Sequence, residues 1–325
     1  MPKKLIRLGI VMVGLLIAGG WFAHKPLLMW YYMRGLDDGI EESDVNYDGI
    51  AGLGQAAVPT LLDSLRRDDA HYDRVAKAIG MILDRLAADG AQLTQIAQRL
   101  ADSFPQFSAS GKWAVLQLAE SLPARGAGCK EAATKIVQAG LQDDEASNQE
   151  QAISLAVKPE FGLGAAVVPL LKDSKPEVRR SALLAVAALR ESVPDDDLLP
   201  CLHDSDAEIR GLCETALKAR GLRDKDVQLG RLIIDPKPLK RLEVLRFLPH
   251  DSQLDPHAWL NRLCQDPSPA VRASAARAAM DPTSSLDVDL SQRVRQMAQS
   301  DPDGTVRQIA DYLIRNRERV GSPEH

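Results

Sequence analysis

Aromatic side chains are scarce. They make up 4% of the 325 residues, although 45% of the chain is apolar. Ala and Leu supply much of that apolar content, which suits closely packed helices. Basic residues show no surplus either: 40 Lys and Arg stand against 45 Asp and Glu, a net charge of -5. A general nucleic-acid binder needs basic surface to displace counterions, so no nucleic-acid partner is expected.

The residues that carry chemistry are few and dispersed. The six His (His24, His71, His203, His250, His257 and His325) form no cluster, and no two of the four Cys have the two-residue spacing favoured by zinc. Gly52-Leu53-Gly54 is not followed by Lys-Ser or Lys-Thr, which excludes a phosphate loop. Neither a Gly-x-Ser-x-Gly elbow nor a His-Glu-x-x-His helix occurs. These absences predict no catalytic residue and no cofactor.

One long apolar run is present. Lys3, Lys4 and Arg7 precede an uninterrupted stretch from Leu8 to Ala23. As a helix it spans about 24 Å, and extending it back to Leu5 with Arg7 snorkelling approaches the roughly 30 Å of a bilayer core. Trp21, Trp30, Tyr31 and Tyr32 sit where an interfacial aromatic belt belongs. The competing reading is a signal peptide cleaved after Ala18-Gly19-Gly20. The expectation is an uncleaved anchor over residues 1–35, contacting the membrane through residues 5–23. Its basic flank keeps the N-terminus cytoplasmic and sends residues 36 onward into the periplasm.

An acidic connector, residues 36–50, follows. Within it Asp44, Asn46 and Asp48, with Gly49, copy the first half of an EF-hand loop. The second half fails, because the position of the bidentate Glu holds Gln55. A short polar helix or loop leading into the first repeat is the better reading, and no metal is expected.

Residues 51–317 repeat. Asp173, Asp204, Asp235 and Asp266 recur every 31 residues, Asp301 follows after 35, and six residues beyond each stands Arg179, Arg210, Arg241, Arg272 or Arg307. A fixed period of this length marks a repeat architecture. Gly52–Pro59 also nearly copies Gly162–Pro169, and Asp68 with Arg74 repeats the six-residue spacing. Degenerate copies fit near 90–122 and 130–158, the latter containing Asp143, for about eight units in all.

Aligned columns give the local structure. One residue before the Arg stand Val178, Ile209, Lys240, Val271 and Val306; three after it stand Ala182, Cys213, Val244, Ala275 and Ala310; six after it stand Ala185, Ala216, Phe247, Ala278 and Leu313. Those spacings define one helical face and predict core. Apolar columns upstream of each Asp place another helix there, so each unit reads helix, turn, helix. Pro176, Pro238 and Pro269 begin second helices, where a missing N–H costs nothing. Lys240 and Pro249 mark the unit 227–249 as irregular and predict a break there.

The recurrent Pro, Asp and Val-Arg pattern resembles HEAT repeats, especially the bacterial type related to phycocyanobilin-lyase repeats. The resemblance implies an all-α, right-handed HEAT/armadillo-type solenoid of about eight helical hairpins, preceded here by a transmembrane helix and ending in a disordered tail, 318–325. It also implies that the ten Asp and Arg residues form a structural hydrogen-bonded ladder. Iron hydroxylases built on such repeats carry His-Glu pairs, and this chain has none. A lyase or isomerase acting on tetrapyrroles is implied by family analogy alone, with no motif in support.

The cysteines follow the columns. Cys201, Cys213 and Cys264 stand where other units hold Leu, Ile, Val or Ala and read as buried thiols; a Cys201–Cys213 bridge is the best disulfide candidate. Cys129, beside Lys130 in an expected loop, reads as the reactive one. Function is left to positions that vary between units. Arg246, Arg277 and Tyr312, five residues after the repeat Arg, and Lys218 and Arg315, eight after it, define a candidate face for a protein or peptide on the concave side. The expected function is a membrane-anchored scaffold.

Overall fold

The computed structural model describes residues 27–36, 41, 45–68, 71–248, 254–281 and 290–321. Among these the protein is all-α, with no strand. It forms two compact units, Met1–Ala185 and Val186–His325. None of the described helices is long and apolar enough to cross a membrane; the run at 5–23 lies outside the described residues.

The first unit opens with a helix over 27–33 and a tight turn at Arg34–Leu36. The helix Tyr47–Leu53 follows, capped by Asn46, whose Oδ1 accepts from the Gly49 N–H at 2.7 Å. Then come Val58–Leu65, Tyr72–Arg85, Gly90–Ser103, Ala109–Ser121, Ala127–Gly140 and Ala146–Ala156. The packing runs largely to the next helix but one: Ala109–Ser121 packs on Tyr72–Arg85 and Ala146–Ala156 as well as on Ala127–Gly140, while Gly90–Ser103 packs on Ala127–Gly140. That contact pattern is a two-layer stack. Its core is aliphatic (Leu93, Ile96, Leu100, Val115, Leu116, Ile136 and Val137 are all buried), with Phe104 the largest fully buried side chain.

The stretch in which the repeat motif is faintest therefore folds into regular hairpins. The near-identical segments Gly52–Pro59 and Gly162–Pro169 are used differently. Positive φ falls on Gly54 (56°) in the first and on Gly162 (63°) in the second, which are not equivalent positions. Gly162 and Leu163 turn the chain back onto the helix Ala146–Ala156, with Leu163 N–H donating to the Ala156 carbonyl at 2.9 Å.

The second unit has one abbreviated first helix. Asp195–Leu198 tightens into the 3-10 turn Leu199–His203, just as Gly164–Val167 tightens into Val168–Lys172 in the first unit. The others are Ala207–Ala219, Asp224–Ile233, Pro256–Leu263, Pro269–Met280, Ser291–Ser300 and Gly304–Gly321. Second helices stack on second helices: Pro238–Leu242 on Pro269–Met280, and that helix on Gly304–Gly321. The final helix continues to Gly321, past the boundary expected at 317, and residues 322–325 lie outside the described residues.

The columns before and three after the Arg are buried in every regular unit: Val178, Ile209 and Val271, then Ala182, Cys213, Val244, Ala275 and Ala310, are at most marginally exposed. The column six after it is corrected. Phe247 is 50% exposed, and the deeper position is one residue later, at Val186, Leu217, Leu248 and Ala279. Positions three and seven after the Arg are separated by four, one turn apart on the same stripe. Lys240 is not in the core either; it is exposed and pairs with Glu243 at 2.9 Å.

Close approach fixes one glycine in the first unit. Ser108 donates both its N–H and its Oγ to the Leu65 carbonyl, and a Cβ on Gly111 would collide with that same oxygen. Gly111→Ala should therefore destabilise the protein by about 1–3 kcal/mol, measured as a lower urea midpoint. An unchanged midpoint would show that this hairpin yields without cost.

Candidate functional site

Each repeat turn is built by its aspartate. Asp173, Asp204, Asp235, Asp266 and Asp301 all accept, through Oδ1, the backbone N–H two residues on, at 2.7–2.9 Å. This Asx turn aims the chain into the second helix. The repeat arginine then folds back: Nη1 of Arg179, Arg210, Arg241, Arg272 and Arg307 donates to the carbonyl of its own Asp at 2.6–2.9 Å. A second, longer bond goes to the next carbonyl.

In the second unit the remaining guanidinium nitrogens of Arg241 and Arg272 reach forward. Arg241 clamps the Asp266 carboxylate at 2.6 and 2.8 Å, and Arg272 clamps that of Asp301 at 2.8 and 2.7 Å. All four side chains are buried. A bidentate, fully satisfied pair of this kind is the strong form of an ion pair. The Arg272 bonds hold the Asp301 carboxyl below the usual carboxylate range, and Asp266 in turn holds the Arg241 guanidinium above its ordinary value.

The first unit contains a variant rung that the motif hides. Asp143 caps its turn through the Glu145 N–H at 3.0 Å, and Lys112 meets it at 2.8 Å. Burial alone would raise the Asp143 carboxyl, yet bonds from Lys112, Glu145 and Asn148 outweigh it and hold the carboxyl below its ordinary range. Six residues on, where an Arg is expected, stands Gln149. It donates to Asp173 Oδ2 at 3.4 Å and accepts from Lys175 Nζ at 3.2 Å. A neutral amide thus takes over the forward contact, with a weaker bond. The other early pair does not match the pattern: Asp68 is exposed.

One rung is missing. Among the described residues Arg210 makes no bond to Asp235, whose carboxylate meets only the Lys237 N–H. The second helix of that next repeat is also interrupted, into Pro238–Leu242 and Val244–Phe247 with a turn at Glu243. Pro249 lies outside the described residues. The irregularity falls where Lys240 and Pro249 place it in the sequence.

The column five after the Arg lies on the opposite side of these helices. Leu184 in the first unit, and Thr215, Arg246, Arg277 and Tyr312 in the second, are all exposed, with Tyr312 at 66%. The five expected face residues divide by their neighbours. Lys218 is tied to Glu214 at 2.8 Å and Asp224 at 2.7 Å, and Arg315 to Asp311 at 2.8 Å. Among the described residues Arg246 and Arg277 have no acidic partner. Phe247 and Leu239, 50% and 79% exposed, add apolar surface that the column pattern misses. Phe247 escapes because the break at Glu243 is invisible in an alignment of columns.

A pocket of about 420 Å³ opens on the ladder edge of the second unit, lined by Cys264, Asp266, Arg272, Arg293, Met297 and Asp301 among others. Arg272 is engaged with Asp301, and Arg293 donates to neutral acceptors, Gln296 Oε1 at 2.7 Å and the Cys264 carbonyl at 3.4 Å.

One cysteine reading requires correction. Cys129 is not in a loop; it lies fully buried within Ala127–Gly140, and burial pushes its thiol up. Cys201, Cys213 and Cys264 are likewise buried and unbridged. Cys213 hydrogen bonds with Cys201, which raises its pKa together with burial, and desolvation pushes Cys264 up to about 11. Asn46 caps a helix and Asp48 stands in its first turn, so the backbone runs as a helix where a calcium loop would have to coil; Asp44 lies outside the described residues. Among the described residues no group of acidic, His or Cys side chains is arranged to hold a metal. No family model matches the chain, and no curated protein matches its sequence.

Asp301→Asn should cost about 3–5 kcal/mol at pH 7, because it leaves Arg272 buried without its counter-charge. Replacing both residues by Leu should recover most of that loss. The folded Asp301 carboxyl is held below its unfolded value of about 3.9, so its contribution is complete above that pH and fades as pH falls through the folded value. Denaturation midpoints between pH 7 and 2 should converge for wild type and Asp301→Asn. Parallel curves over that range would remove the pair from the stability of the fold.

Proposed function

We propose that the chain is a HEAT-type scaffold, anchored in a membrane by residues 5–23, that binds an acidic segment of a protein partner. Its binding face is the exposed column of the second unit: Arg246, Arg277 and Tyr312, with Phe247 beside Arg246. The observation that carries this reading is the contrast between two sets of arginines. Those of the ladder are matched by Asp266 and Asp301 inside the fold, whereas Arg246 and Arg277 are exposed and, among the described residues, pair with no acid. Arg and Tyr are the residue types that concentrate binding energy at interfaces.

The HEAT assignment rests on the Asp–Arg spacing together with the two-layer packing of the helices. Membrane attachment, with the N-terminus cytoplasmic and the repeats periplasmic, rests on the basic flank and the apolar run of the sequence. No catalytic step is assigned to the chain.

Partner capture from membranes, repeated with the Arg246→Glu, Arg277→Glu double variant, tests the face. Binding should weaken at least about tenfold, and wild-type binding should decline as salt rises. An unchanged set of partners would refute the face. Protease added to the outside of spheroplasts should digest the repeats, and full protection would reverse the topology.

A further inference from the structure

The helix over 27–33 is apolar or aromatic all round, yet one of its faces is turned outward. Leu27, Trp30, Tyr31 and Arg34, at spacings of three, four and seven, share one face, and all four are exposed. Leu28, Met29, Tyr32 and Met33 take the other face and are half-buried. The outward face thus carries the large apolar groups, with Leu27 63%, Trp30 61% and Tyr31 65% exposed. The Arg34 guanidinium lies 5.6 Å from the centre of the Trp30 ring, and Tyr31 meets Tyr32 edge to face at 5.5 Å.

Tyr32 faces inward. Its ring lies against Gly49 so closely that a Cβ there would sit 2.5 Å from Cε1. Gly49 belongs to the helix Tyr47–Leu53, which packs on Tyr72–Arg85 and so on the first repeats. Of the aromatic residues expected to form one belt, Tyr32 is therefore used to fasten the helix to the fold, and Trp30 and Tyr31 are left facing out.

We propose that helix 27–33 lies in the headgroup layer of a bilayer with Leu27, Trp30 and Tyr31 inserted, and that the Tyr32–Gly49 contact gives the first unit one fixed orientation to that surface. The occupant is argued from the chain itself. The apolar run ends at Ala23, four residues before Leu27, so the helix emerges at the interface where Trp and Tyr are favoured. Lys25 and Arg34 are outnumbered by Asp37, Asp38, Glu41 and Glu42 just downstream. Attraction to anionic lipid is therefore not the driving term; ring insertion is, and it is insensitive to salt. This inference deepens the proposed membrane attachment and rests on it.

The test uses the full chain carrying Trp21→Phe, in phosphatidylcholine vesicles with bromine atoms near the headgroup end of the acyl chains. Trp emission should be quenched, the quenching should persist at about 0.5 M NaCl, and Trp30→Phe should abolish it. A chain that sediments with the vesicles without quenching overturns the inserted helix and leaves the anchor standing. A chain that does not sediment overturns both. Trp30 shielded from aqueous iodide before vesicles are added, in a concentration-dependent dimer, assigns the face to a second copy instead. For the orientation, a fluorophore at Gln92→Cys should show one narrow range of energy transfer to acceptor lipids, broadened in Gly49→Leu. Equal breadth in both overturns the fixed orientation.

Discussion

The second unit depends on one carboxylate doing two jobs. Asp266 closes its own turn by accepting the Ser268 N–H, and offers both oxygens to Arg241 of the repeat before. Asp301 does the same with Asp303 and Arg272. A turn closed by its Asp, beside a neighbouring Arg that needs the same carboxylate, couples local folding to stacking. Short first helices, such as Asp195–Leu198 with its 3-10 extension, are too brief to be stable alone and are tolerable because their ends are held this way.

Buried ion pairs seldom add much over a well-packed apolar contact. What they add here is register. A Leu at position 241 would pack against many neighbours, whereas a guanidinium fork accepts one carboxylate in one pose. Apolar columns of Ala, Val and Leu are interchangeable along the stack, so the ladder supplies the discrimination they lack.

Much of this was legible in the sequence because the ladder requires two residue types at one spacing. The columns next to the Arg and three after it were equally plain, since a β-branched residue or a small one recurs there. The column six after it misled because Ala at 185, 216 and 278 is small enough for either a core or a half-buried position, and Phe247 looked like a larger version of the same. The rungs at Lys112 and Gln149 left no trace, because an ammonium and an amide can meet a carboxylate without repeating the Arg motif. Cys129 was misplaced for a similar reason: nothing in the sequence around Gly126 says that the turn there is brief and a helix begins at Ala127. The candidate face was visible only as a column of unlike residues; which of them are already spoken for depended on neighbours such as Asp224 and Asp311.

The missing rung between Arg210 and Asp235 has a thermodynamic meaning. In a linear array, cooperativity is passed from neighbour to neighbour and extends only as far as the interfaces are strong. Where one interface is lean, the penalty for a boundary between folded and opened segments is small. The divided helix at Glu243 is on the far side of that interface. The segment held by Asp266 and Asp301 can therefore remain intact while the chain before it opens, so the second unit has a built-in seam along which breathing motions are confined.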